Sequence, residues 1–380
     1  MPVYFDSAAT TQVDSRVAAL VMEYMTAEFG NAGSRTHTYG SNARSASEIA
    51  RDQVARVVGA DIDDVIFTSG ATEADNLAIL GIADYGVRTN RRHIVTNASE
   101  HKAVLEPIEH LSGLGFDVTY LKPGLSGRID LDELRDSLRE ETCLVSIMHV
   151  NNETGVSQPL SEICDVLKDH LAYFHVDAAQ GFGKDIELLK NVRIDMISVS
   201  GHKLYAPKGV GALITRKRNG RLRPPLMPLM YGGGQERKLR PGTLPVALVV
   251  GLGLACELAV KENSTRWNAG KKIEAEVSKF VTNANGIING EREHSTPFIL
   301  NASFPGLDSE AFIVATKDLF AISNGSACTS SSYDQSHVLK AMGISGERLD
   351  GAVRFSWSHL TEIPPFTEVL RVIRSVSMIN

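Results

Sequence analysis

Between residues 41 and 215, short apolar runs alternate with longer stretches whose apolar residues recur at helical spacing. The runs fall at 64–68, 93–96, 118–121, 144–148, 173–176, 196–199 and 211–215. Among the intervening stretches, Ala43, Ala46, Ala50, Val54 and Val57 share one helical face. Further helices are expected over 76–81, 103–111 and 131–138, the last capped by Asp130. This order constrains the chain more than any other feature. Strands that alternate with helices build a mostly parallel sheet covered on both faces. After residue 260 the character changes to a charged helix over 267–281, an apolar run at 298–303, a helix at 309–315, a serine-rich loop, a strand at 353–356 and a last helix at 366–376. That pattern reads as a smaller α+β unit behind a large α/β one.

Composition narrows the partners. Lys+Arg is 39 and Asp+Glu is 45 in 380 residues, a formal net charge of −6. Direct grip on nucleic acid or on a membrane surface usually shows as a basic excess, so neither is expected. Cys143, Cys164, Cys256 and Cys328 form no CxxC pair and no disulfide framework, which fits a reducing cytoplasm and argues against a metal ribbon. The first residues have neither the basic nor the apolar region of a signal peptide. The longest apolar stretch, 244–260, contains Pro245, two glycines and Glu257, and reads as a buried helix rather than a membrane span.

Ligands of open α/β sheets bind beyond the carboxyl ends of the strands. Thr68-Ser-Gly-Ala-Thr-Glu73 follows one such strand. The amides of Ala71 and Thr72 at the next helix start would attract an anion, although Thr72 could equally be a simple cap. His175-Val-Asp-Ala-Ala-Gln180 follows another. A carboxylate there needs a cation, and Asp177 is a candidate partner of a protonated heterocyclic nitrogen, or else a turn cap. Ser198-Val-Ser-Gly-His-Lys203 puts Lys203 directly after an apolar strand, where a partly buried amine is a usable nucleophile for a Schiff base. Ser200 and His202 beside it could donate to a phosphate, and Lys208 fits a plain surface lysine better than Lys203 does. Ser323-Asn-Gly-Ser-Ala-Cys-Thr-Ser-Ser-Ser332 has almost no apolar side chains, so it reads as a mobile, exposed loop with an accessible Cys328. The other three cysteines sit in apolar strand or helix patterns and read as core.

At these residues the chain resembles pyridoxal-phosphate enzymes of fold type I, and more narrowly the NifS-like cysteine desulfurases. Phe5-Asp-Ser-Ala-Ala-Thr-Thr11, Ser69-Gly-Ala-Thr-Glu73, Glu100-His-Lys102, His149-Val-Asn-Asn-Glu153, His175-Val-Asp177 with Gln180, Ser200-Gly-His-Lys203, Gly232-Gly-Gly234, Gly242-Thr243, Gly325-Ser-Ala-Cys-Thr-Ser330 and Val353-Arg-Phe355 match in family order over nearly the whole chain. The resemblance implies a large domain over 16–259 with a mostly parallel seven-stranded sheet, and a small α+β domain from 1–15 and 260–380 that carries the cysteine loop. It implies pyridoxal 5'-phosphate held by Ala71, Thr72, Ser200 and His202 at the phosphate, by Asp177 and Gln180 at the ring, and by the Schiff base of Lys203. His101 would stack on the ring and serve as acid or base; its plain alternative is a core histidine. Asn152, which would also contact the cofactor, and Arg354 would receive the substrate carboxylate, a role that a guanidinium fork suits. Thr243 would reach the phosphate of a neighbouring subunit, which requires a homodimer. No metal is implied.

The activity implied is conversion of L-cysteine to L-alanine, with a persulfide formed on Cys328 and passed to an acceptor protein. The Cys328 loop matches the group I branch rather than the shorter loop of the group II and selenocysteine-lyase branch. Acceptors in iron–sulfur assembly, tRNA thiolation or DNA phosphorothioation are all compatible, and the Glu28–His37 segment resembles desulfurases that feed phosphorothioation. Pro241 stands where housekeeping IscS-like members more often carry serine, and the chain stops at Asn380 where they carry a further tail that helps dock the iron–sulfur scaffold. The competing readings are another fold type I enzyme, such as an aminotransferase or selenocysteine lyase, and a scaffold that only binds partners.

Overall fold

Seven strands form one sheet in the computed structural model, which describes residues 2–218, 220–324 and 335–377. After β1 (Val3–Tyr4) come β2 (Val65–Thr68), β3 (His93–Asn97), β4 (Asp117–Leu121), β5 (Thr142–Ser146), β6 (Tyr173–Asp177), β7 (Met196–Ser200) and β8 (Gly211–Thr215). The spatial order is β2-β8-β7-β6-β5-β3-β4. All pairs from β7 to β4 are parallel, whereas β8 runs antiparallel to both β7 and β2. The return from β7 to β8 holds no crossover helix, and without one a neighbouring strand has to run back antiparallel.

Successive side chains of a strand point to opposite faces, and two cores result. Val65 and Phe67, Val145, Val176, Ile197 and Val199, Ala212 and Ile214 pack on one face with Val54, Ala55, Val249 and Leu252 of the helices Thr38–Val58 and Val246–Lys261. Ile66, Ile94, Leu144, Met196 and Leu213 pack on the other with Leu77, Ala78, Val104 and Ile108 of the helices Ala71–Gly81 and Lys102–Gly113. Only the edge strand β4 has exposed residues.

A separate aromatic core holds Phe280, Phe298, Phe304, Phe312, Phe320 and Phe355 together with Phe5. Around it lie an antiparallel sheet of β9 (Ile287–Asn289), β10 (Ile299–Ser303) and β12 (Ala352–Ser356), and a parallel pair of β1 with β11 (Phe320–Ala321). Residues 5–11 cross between the two regions. The Ala8 amide donates to Ser356 Oγ at 2.9 Å, and the Thr11 amide donates to the His202 carbonyl at 2.9 Å.

The seven expected strands all form, and the stretch after Pro245 is the expected buried helix. Where boundaries move, local chemistry explains it. The second helix starts at Thr38, before Ser41, because His37 Nδ1 accepts from the Gly40 amide at 3.2 Å. β5 ends at Ser146, since the amide of Met148 donates to Glu100 Oε1 rather than to a strand. β1, β9 and β11 are two or three residues long, too short to carry a period. Among the described residues, no helix is long and apolar enough to cross a membrane.

The loop 232–243 is held in an unusual shape. Glu236, Arg237 and Lys238 have φ of 42°, 58° and 66°, a left-handed run that costs roughly 1–2 kcal/mol per residue. Its anchor is Glu236, which accepts from Arg51 at 2.7 and 2.8 Å and from the Phe67 amide at 2.7 Å, while the guanidinium lies over the Phe67 ring. Both charged side chains are buried, so removing one strands the other. Glu236→Ala is expected to lower the unfolding free energy by about 3–5 kcal/mol, measured by urea denaturation, with Glu236→Asp retaining part of it.

Candidate active site

The carboxyl ends of β2, β3, β6 and β7 open into one cavity of about 430 Å³, within the range of small-molecule sites. Ala71, Thr72, His101, Asn152, Asp177, Gln180, Ser200, His202 and Lys203 line it. Thus nine side chains singled out in the sequence meet at one place, although they come from segments far apart in the chain.

Lys203 lies in the short 3-10 turn that directly follows β7. Its ammonium donates to the carbonyls of Ala8 and, at 2.7 Å, Ala9. Asp177 ends β6 and is buried, with Oδ1 accepting the Ala179 amide at 2.9 Å. Burial first, and then the neighbouring carboxylate of Asp75, raise its pKa to about 6. Gln180 donates through Nε2 to the Ala8 carbonyl at 2.9 Å, which leaves its buried Oε1 without a donor among the described residues.

At the other end, Gly70 precedes the helix Ala71–Gly81 without a side-chain cap, so the first-turn amides keep their capacity for an anion. Gly70 also packs against β8. A Cβ at Gly211 would stand 2.7 Å from the Gly70 Cα, so the two backbones touch there. His202 Nδ1 meets the Thr10 hydroxyl at 3.1 Å, and burial followed by the charge of Lys203 lowers its pKa to about 4. That shift favours a neutral ring, and in the tautomer whose Nδ1 accepts from Thr10 the Nε2–H is a donor. His101 caps the next helix through Nδ1 at 3.1 Å from the Ala103 amide. It is half-buried at the cavity wall and is not a core histidine.

These residues fit pyridoxal phosphate. A helix start with free amides, Ser200 and a neutral His202 suit a phosphate. A buried carboxylate suits a ring cation. The open Gln180 oxygen suits a ring hydroxyl, and Lys203 is the amine that a Schiff base needs.

Two expected residues lie elsewhere. Arg354 stands behind the wall, almost fully buried, donating to the Asn152 carbonyl at 3.1 Å and to Asp6 at 2.8 Å, with Nε lacking an acceptor among the described residues. Thr243 is exposed and does not line the cavity of its own chain, whose loop is tied in by Arg240 and Glu73 at 2.9 Å. Cys328 lies outside the described residues. Lys208 is exposed as expected, yet it stands at the cavity mouth.

The reading of the sequence passed over two acids here. Asp75 lines the cavity and is completely buried, and Glu100 is buried beside it. For Asp75 the signal was an acidic residue between Ala74 and Leu77 on the apolar side of a helix.

The aminotransferase class-V family model matches residues 3–362. The cysteine desulfurase IscS of Pectobacterium carotovorum subsp. carotovorum (strain PC1) is 44% identical over 377 residues, which cover 98% of this chain and 92% of that protein. The crystal structure of DndA from Streptomyces lividans is 51% identical, with a TM-score of 0.82 over 93% of this chain and 99% of that one. A structure described as SspA in complex with cysteine is 36% identical, with a TM-score of 0.82 over 93% of this chain and 98% of that one.

Cys143, Cys164 and Cys256 are buried in the cores, as expected. Burial pushes the thiols of Cys143 and Cys164 up to about 12, and that of Cys256 up as well. These three are expected to stay unlabelled when the native protein meets a thiol alkylating reagent, and to react only after denaturation; peptide mass mapping checks this.

Proposed function

The chain belongs to the class-V aminotransferase family as a pyridoxal-phosphate-dependent cysteine desulfurase, and on that premise we propose how its residues divide the work. The observation that carries the proposal is the meeting of Lys203, Asp177, Gln180, His101 and a free helix start in one cavity. Pyridoxal phosphate, when bound, supplies an electron sink for the bonds around the substrate's α-carbon.

The chain's own groups do the rest. Ala71, Thr72, Ser200 and His202 hold the phosphate. Asp177 would pair with the ring nitrogen, its burial keeping the attraction from being screened by water, and Gln180 would meet the ring hydroxyl. Lys203 would anchor the cofactor through its amine, and the same amine is the base that would take the substrate's α-proton. The Ala8 and Ala9 carbonyls keep its nitrogen at the cavity. His101 covers the ring and moves a proton.

Asn152 and Arg354 receive the substrate carboxylate. The unpaired Nε of Arg354 supports this role, and Asp6 holds the rest of the fork in place. The Cys328 thiolate then attacks the substrate sulfur. A sulfur–sulfur bond forms, the carbon–sulfur bond breaks, and the electron pair left on carbon takes a proton, so that L-alanine leaves and the persulfide stays on Cys328.

The remaining assignments have narrower support. Two separate cores favour a large domain over 16–259 and a small one from 1–15 and 260–380. An exposed Thr243 on a loop tied to the cavity edge is suited to a second subunit's phosphate, and hence to a homodimer. We take a cytoplasmic protein as the sulfur acceptor. The Glu28–His37 resemblance favours a donor for DNA phosphorothioation, and 51% identity to DndA against 44% to IscS supports a specialised donor over a housekeeping one.

Purified protein loaded with pyridoxal phosphate is expected to turn L-cysteine and a reductant into equal amounts of alanine and sulfide. Cys328→Ser and Lys203→Ala should both abolish the two products. Alanine that persists in Cys328→Ser would overturn the persulfide step and favour another fold type I reaction. Arg354→Lys keeps the charge but loses the fork, and is expected to raise KM for cysteine by about tenfold or more, read from initial rates.

A further inference from the structure

Asp75 lies one turn into the helix Ala71–Gly81, on the side that covers β6 and β7. It is 0% exposed, it lines the cavity, and apart from the nearby Ser198 hydroxyl neither carboxylate oxygen has a hydrogen-bond donor among the described residues. His175 Nε2 is 3.5 Å away. That ring is no cation. Its Nδ1 meets the Ser146 hydroxyl at 2.8 Å and its Nε2 the Ser198 hydroxyl at 2.9 Å, and burial lowers its pKa to about 4.

The other charged or titratable groups around Asp75 do not neutralise it either. On its own helix, Glu73 is turned to the Ser69 amide and to Arg240. β6 contributes Asp177, a second acid, and β7 contributes only the Ser198 hydroxyl. The segment before the helix Lys102–Gly113 contributes His101 and Glu100, an acid that burial itself pushes well up. The turn after β7 contributes the neutral His202, and Lys203 with its ammonium on the Ala8 and Ala9 carbonyls.

An ionised carboxylate in this position would lose its hydration with little in exchange. Burial, opposed only in part by Ser198 and His101, raises the pKa of Asp75 to about 7.

We propose that Asp75 is the proton store of the ring pocket: Asp75 and Asp177 hold one proton between them, so the pair presents a single negative charge to the cofactor ring. The inference rests on the cofactor reading above. Two buried acids that line one cavity and interact titrate as a pair, ionisation of one disfavouring ionisation of the other. A ring cation favours the ionised form of Asp177, and the proton then stays on Asp75. Asp75 is a positioning residue. It sets the charge on Asp177 and does not itself touch the reacting atoms.

Infrared spectra in the carboxyl-stretch region test this on wild type, Asp75→Asn and Asp177→Asn, each with and without pyridoxal phosphate, on both sides of neutrality. With pyridoxal phosphate bound, wild type is expected to show a protonated-carboxyl band that is lost on comparison with Asp75→Asn, over a Glu100 background common to every variant. Because an amide matches the neutral acid in shape and charge, Asp75→Asn should bind pyridoxal phosphate within about threefold of wild type. Asp177→Asn should weaken binding by about tenfold or more, one pKa unit of lost interaction. Asp75→Ser, smaller and also neutral, gives the same reading if the amide does not fit. A wild-type minus Asp75-variant difference spectrum that shows no protonated-carboxyl band, or an Asp75→Asn loss of affinity equal to that of Asp177→Asn, would overturn the inference. A folded wild type that takes up no pyridoxal phosphate would overturn the cofactor reading, while the band would still decide whether Asp75 holds the proton.

Discussion

The Lys203 ammonium rests on two backbone carbonyls, those of Ala8 and Ala9, and much of the site depends on where those carbonyls lie. They belong to a stretch that begins in the aromatic core with Phe5 and ends on the carbonyl of His202. One end is fixed by ring packing against Phe320, Trp357 and Phe366, the other by hydrogen bonds of Thr11. The same stretch supplies Asp6 to Arg354 and a carbonyl to Gln180. Lysine, glutamine and arginine are therefore set by one strap. A shift of the small sheet relative to the large one moves all three together.

Burial is the second constraint. Asp75, Glu100, Asp177 and His175 lie in the same apolar surroundings and are all displaced from their ordinary protonation, the acids upward and the histidine downward. This is the environment that makes a single ring cation worth binding. Water would screen the charge of Asp177, whereas in the interior a cation is its most effective partner.

The large sheet was legible because its strands are buried on both faces and read as unbroken apolar runs, and helices between them leave few topologies. The polar residues of the site were legible for a related reason. A lysine or aspartate directly after such a run is out of place unless it works there. Asp75 escaped notice because it sits within a helix, where one acid per turn is ordinary, and only the fold reveals which side is covered. Arg51 and Glu236 escaped because they stand 185 residues apart and nothing local links them. Thr243 could be read only through family resemblance, since the role proposed for it needs a second subunit that one chain does not contain.

The contact between Gly70 and Gly211 also limits how this site can change over generations. Where these two glycines meet, the wall is backbone against backbone, with no side chain at either position to shorten or lengthen. Variation in what the cavity accepts meets less backbone constraint at other parts of its lining, such as Met148, Val150 and Asn152. An enzyme built this way keeps its cofactor grip fixed while its choice of substrate and acceptor drifts, and directed evolution of new specificities would do best to leave residues 68–72 and 209–211 untouched.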